Sequence, residues 1–276
     1  MKSSSKTKNI VLAFGIAITY ILLFKASGIA IRRMITTQHN SFLPDLAVET
    51  AGTVIAVVML IVFRKTKLLK AEPGSFQKGL SASVFMIVGA GLNALLSLPV
   101  IIGKELKPAY EIAFFVFDMI LTGVTEELIY RGVAFDYIHE AFGSSTKAGA
   151  YATSALSGAI FGILHLFNLF GSSNPSAVII QAVAAVATGF FFGAVYLRCR
   201  NLWAMIALHA FNDFAIMLKE GLLSEGTIRS AVDSHSVKVL AGAVLYFGIG
   251  IFLLRSEKMS YIENDKKEDG VLFSGN

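Results

Sequence analysis

The sequence predicts an all-α fold: a polytopic transmembrane bundle of about eight membrane helices. Three observations predict it. Of the 276 residues, 55% are hydrophobic and only 16% charged, with a mean hydropathy of +0.66. A soluble domain carries roughly a quarter of its residues as charges. Eight apolar runs recur along the chain, each near the ~20 residues that a spanning helix needs. Lysine and arginine then alternate in density between successive connections, as they do in multi-pass membrane proteins. The net charge of +5 therefore belongs to span flanks, and the expected partner is the lipid bilayer, with no nucleic acid. Cys199 is alone, so no internal disulfide and no Cys-based structural zinc site can form.

The first run covers 10–24 and continues to 31 if Lys25 snorkels. Lys2, Lys6 and Lys8 precede it, yet no small-x-small cleavage site follows Phe24, so it reads as a retained helix and not a signal peptide. The second run is 48–63, the least secure, with Glu49 at its edge; the third is 80–103. The fourth, 110–135, contains Thr125-Glu126-Glu127-Leu-Ile-Tyr-Arg131. The fifth is 148–170, the sixth 177–197, the seventh 202–218 and the eighth 237–254. Gly158-x-x-x-Gly162 in the fifth and Gly189-x-x-x-Gly193 in the sixth are faces that let helix backbones approach closely. With the N-terminus inside, 16 of the 24 lysines and arginines fall on inner segments and eight on outer ones. That bias predicts both termini in the cytoplasm. Residues 1–256 form one membrane-embedded domain with a motif core at 110–218. The polar tail 257–276 is expected to be disordered and cytoplasmic.

Three spans hold polar groups that packing does not require. Glu126, Glu127 and Arg131 sit in the fourth, where ionised groups are costly unless paired or facing a wet cavity. On a helix Glu127 and Arg131 share a face and can pair, while Glu126 points about 100° away. The fifth span ends on Phe161-x-x-x-His165. The seventh holds His209-Ala-Phe-Asn212-Asp213, with His209 and Asp213 one turn apart. Singly, each has a plain explanation as a helix-end ion pair, an interhelical hydrogen bond or a cap. Jointly they are the inventory for activating water and stabilising an oxyanion, in a cavity among helices 4, 5 and 7. Ser154 and Ser157 have no adjacent base, and Cys199 lies at an interface beside Arg198 and Arg200, so none competes as nucleophile. The positions do not agree in depth at first sight. His165 lies 17 residues into its run, about 25 Å, and His209 only seven, about 10 Å.

The ordered set Glu126-Glu127-x-x-x-Arg131, Phe161-x-x-x-His165 and His209-x-x-x-Asp213 resembles the CAAX protease and bacteriocin-processing (CPBP, or Abi) family of intramembrane glutamic endopeptidases. The resemblance spans roughly residues 122–214. It implies that Glu126 is the catalytic carboxylate, that His165 helps it to activate water, and that His209 with the residue four later stabilises the oxyanion. Glu127 and Arg131 would be a supporting pair, with Phe161 beside them. The last position is usually Asn in that family and is Asp213 here, with Asn212 before it. An ionised Asp cannot donate to an oxyanion. Three solutions stay open: a protonated Asp213, an Asp213 that orients His209, or donation by Asn212.

The resemblance implies hydrolysis of a hydrophobic or membrane-associated peptide without a required metal or other cofactor. Zinc held by two histidines and Glu126 or Asp213 is the mechanistic alternative. Bacteriocin immunity or peptide maturation in a bacterial cell membrane is the expected setting. A non-catalytic immunity or scaffold protein that keeps the fold is the alternative from another class.

Overall fold

The structure is a computed structural model and describes residues 2–35 and 40–255. The tail 257–276 lies outside the described residues. Those described are helical and include no strand; an isolated bridge joins Leu106 to Leu223. In chain order the helices are α1 (Lys2–Met34), α2 (Leu43–Val62), α3 (Ser75–Ala82), α4 (Val84–Ile101) and α5 (Ala109–Glu127). A π-helical segment, Leu128–Ala134, joins α5 to α6 (Phe135–Phe142). Then come α7 (Lys147–His165), α8 (Pro175–Cys199), α9 (Leu202–Ile216), α10 (Leu218–Leu222), α11 (Ile228–Asp233) and α12 (Val239–Leu253).

Each of the eight apolar runs corresponds to a helix, and among the described residues five helices are both long and apolar enough to cross a membrane: α1, α2, α4, α7 (extended to Leu169) and α8. Helices α9 and α12 are shorter, at 15 residues each. The α5 helix carries four carboxylates, at Glu111, Asp118, Glu126 and Glu127. Several boundaries moved. The second span begins at Leu43, because Pro44 and Asp45 suit a first helical turn, and this puts Glu49 inside the helix. The third divides at Ser83, leaving α3 as a short separate helix. The fifth ends at His165, where the chain tightens into a 3-10 turn, Leu166–Leu169. Lys25 is half-buried and donates to Asn168 Oδ1 at 3.2 Å, so it is tied to the 3-10 turn and does not simply snorkel.

Glycine-mediated seams hold the bundle at its tightest points. The α7 and α8 helices make the most extensive contact in the molecule, through the two small-residue faces. A Cβ on Gly158 would lie 2.6 Å from both the Phe190 nitrogen and the Val186 oxygen, and one on Gly189 would lie 2.8 Å from Gly158 Cα. The α5–α9 crossing depends likewise on Gly123, where a Cβ would sit 2.9 Å from the Ile206 oxygen. Around these seams lies one large core that includes Phe135, Phe161, Phe190 to Phe192 and Tyr196.

The unequal depths of His165 and His209 have a structural explanation. Helix α9 starts inside the protein. Its cap, Asn201, is buried, accepts from the Ala204 nitrogen at 2.9 Å and donates to Ser75 Oγ at 2.8 Å. Trp203 donates to the Leu69 carbonyl, and the approach of Gly79 to Ala204 seats α3 over the start of α9. A helix whose first turn is satisfied by protein can begin below the surface, so seven residues suffice to bring His209 level with the end of α7.

Candidate active site

The site is assembled from the end of α5, the π segment, the last turns of α7 and the middle of α9. Glu126 and Glu127 are adjacent, and the helix turns them toward different surroundings. Glu127 and Arg131 are 0% exposed, and Arg131 Nη1 donates to Glu127 Oε1 at 2.9 Å. The Glu126 side chain keeps 24% exposure. The guanidinium of Arg131 also lies over the rings of Phe161, at 4.5 Å, and Phe192, at 5.0 Å. Its Nε and Nη2 atoms have no hydrogen-bond partner among the described residues, so the two ring faces supply part of the compensation for a buried cation.

His209 connects the two carboxylates. Its Nδ1 lies 2.6 Å from Glu127 Oε1. Its Nε2 lies 3.4 Å from Glu126 Oε2 and 3.4 Å from Asp213 Oδ2. An ionised Glu127 only accepts, so it takes the Nδ1 proton and fixes the ring plane. The other nitrogen is then aimed at the partly exposed Glu126 and Asp213. Asn212 is buried and donates to Asp213 Oδ1 at 3.4 Å.

His165 ends α7 with Nδ1 2.8 Å from the Phe161 carbonyl. A carbonyl accepts, so Nδ1 carries a proton and Nε2 is the nitrogen left for other partners. The rings of Phe161 and His165 are 4.6 Å apart edge to face, and those of Phe161 and His209 are 5.9 Å apart. Phe161 therefore stands between the two histidines and touches both. Glu126 is within electrostatic reach of both imidazoles and of Asp213.

All eight residues singled out in the sequence come together here, with Glu127 and Arg131 behind, Glu126 and Asp213 in front, and His209 joining the two layers. Three features were not visible in the sequence. The contact of Glu127 with His209 joins positions 82 residues apart. Phe192 packs on both His209, at 5.5 Å between rings, and Arg131, and Tyr130 packs on Phe161 at 5.1 Å. The π turn over residues 128–134 has no marker in composition, although such turns concentrate at functional sites. Phe192 had one available signal, its place within the Gly189–Gly193 face. Ser154 is buried in the α7–α8 seam against Gly193. Among the described residues, no group of three or more His, Cys, Asp and Glu side chains has a metal-holding arrangement.

Residues 108–215 match the family model for Type II CAAX prenyl endopeptidase Rce1-like proteins. The matched segment contains every residue of the assembly described above, so the resemblance carried by the motifs holds over 108 of the 276 residues. At family level it supports a CAAX-type intramembrane protease. No curated protein matches the chain.

Proposed function

We propose that this protein is an intramembrane endopeptidase in which Glu126 activates water against a peptide bond of a hydrophobic or membrane-associated substrate. The observation that carries the reading is the division of labour around His209. One nitrogen is held by the fully buried Glu127–Arg131 pair, and the other is directed at a carboxylate that retains access to solvent. An ion pair that only closed a helix end would not need a histidine from a distant helix to join it to a second carboxylate.

In this mechanism Glu126 takes a proton from a water that also hydrogen-bonds His165 Nε2, and the hydroxide attacks the scissile carbonyl. The developing oxyanion is met by the Nε2–H of His209 on α9. Asp213 serves as an acceptor that orients His209 from the front while Glu127 holds it from behind. Of the three solutions open for this Asp, orientation is the one that its 3.4 Å approach to Nε2 supports. The proton on Glu126 passes to the leaving amine as the tetrahedral intermediate collapses. Water activation in this scheme needs no metal.

We place both termini in the cytoplasm from the lysine and arginine bias, and read the host as bacterial, with immunity to or maturation of a secreted peptide as the role. The experiment that tests the activity is comparative peptidomics of cells carrying the native protein, Glu126→Ala or His165→Ala. Peptides should accumulate uncleaved in both variants. Full biological function in both would refute catalysis and leave a binding role.

A further inference from the structure

Two carboxylates on the α2–α5 pair, Asp118 buried and Glu49 half-buried, have no role in the scheme above. Asp118 is eight residues before Glu126 on α5, with Thr122 midway, so the three lie along one helix face over about 12 Å. Glu49 lies on α2, which runs parallel to α5. At one end of that pair Glu111 accepts from Ser41 Oγ, at 2.8 Å, and from the Phe42 nitrogen, at 2.7 Å. At the other, Thr53 Oγ1 meets Thr125 Oγ1 at 2.8 Å. Glu49 and Asp118 both fall between these two ties.

Each carboxylate has one oxygen that protein leaves unsatisfied. Asp118 is 2% exposed and its Oδ1 has no hydrogen-bond partner among the described residues; the same holds for Glu49 Oε2. The nearby cations are committed elsewhere, Lys25 to Asn168 and Arg32 to Asp45. Buried polar atoms of this kind are ordinarily satisfied by internal water making two to four hydrogen bonds. The acidic groups also form a connected series. Glu49 is within electrostatic reach of Asp118 and Glu126, and both Glu49 and Asp118 are within reach of Asp45, whose pair with Arg32 lies at the open end of α1 and α2.

We propose that Glu49 and Asp118 line an internal hydrated column that supplies water to Glu126 from the end of the bundle where α2 and α5 begin. The inference rests on Glu126 being the water-activating carboxylate. Hydrolysis consumes one water per peptide bond, and a hydrophobic substrate seated on the exposed side of Glu126 would displace the solvent there, so a polar route from behind lets that water arrive. Asp118 and Glu49 are then positioning residues: they hold water in line without touching substrate.

The test combines thiol labelling with kinetics in the full-length membrane protein. Asp118→Cys and, as a milder change, Thr122→Cys are treated with a small charged methanethiosulfonate. Ile120→Cys on the exposed apolar face is the lipid-facing control, and the native buried Cys199 sets the background. Both test thiols should react at least about tenfold faster than Ile120→Cys, because only a hydrated thiol ionises. Asp118→Leu should lower kcat about tenfold with KM unchanged, and Asp118→Asn, which still binds water, should restore most of it. Labelling no faster than the control overturns the column. Fast labelling with unchanged kcat in Asp118→Leu overturns its role in supply. Fast labelling in a parent chain that cleaves no peptide overturns the enzymatic reading and the supply role with it, while leaving the column.

Discussion

The sharpest prediction separates two neighbouring glutamates by stability. Glu127→Gln removes one partner of an ion pair in which both side chains are 0% exposed, leaving the Arg131 charge uncompensated. Breaking a buried pair from one side costs about 3–5 kcal/mol. For a protein of this size that corresponds to roughly 6–20 °C in Tm. Glu126→Gln changes a side chain with 24% exposure whose neighbouring His209 keeps Glu127 and Asp213 as partners, so its effect on stability should stay within about 1 kcal/mol. Both variants lose activity: Glu126→Gln by loss of the base, about 10²–10⁴-fold, and Glu127→Gln by release of His209. Activity alone therefore cannot assign the roles. Thermal unfolding of the purified protein in one detergent, followed by intrinsic tryptophan fluorescence, can. A large loss of Tm in Glu126→Gln with none in Glu127→Gln would show the assignment to be reversed.

Three further outcomes follow from the same structure. Gly158→Ala should destabilise the protein by about 1–3 kcal/mol, since its Cβ meets α8 backbone at 2.6 Å, whereas Gly15→Ala, with nothing within 4 Å, should not; thermal unfolding of both checks it. Exhaustive dialysis against a chelator should leave peptidase activity unchanged, and a loss restored by added zinc would favour the metal-dependent mechanism. Hydrogen bonds from Ser172 and Ser173 hold the Asp233 carboxyl below its usual range. Its folded value lies below its unfolded one, so the tie is fully present above the unfolded pKa and is lost as pH falls through the folded one. Proteolytic cutting near residues 170–175 should therefore increase once pH drops below about 4, and a cutting rate unchanged by acid would refute it.

What the sequence determined by itself was the class and the inventory. A chain with this few charges and eight apolar runs can satisfy its backbone in lipid only as helices, so the all-α bundle needed no tertiary information. The residues of the site were equally legible, because Glu126, Glu127, Arg131, His165, His209 and Asp213 are expensive in such a chain and, taken together, form a recognisable inventory. Helical phase further separated Glu127 and Arg131 from Glu126. The small-residue faces at Gly158 and Gly189 also announced a close contact, though not that they would pack on each other.

Tertiary structure decided everything that depends on where helices begin and how they cross. No local pattern shows that Asn201 caps α9 beneath α3, yet that buried start is what brings His209 to the level of His165. Phe192 and Tyr130 read as ordinary core until their rings are seen against Arg131, His209 and Phe161. Glu49 looked like the edge of a span and proved to be inside one. The opposed fates of Glu126 and Glu127 were likewise settled by a contact across 82 residues, with His209 taking hold of one carboxylate and facing the other. Sequence spacing fixes the direction in which a side chain leaves its own helix. Only packing decides what it meets there.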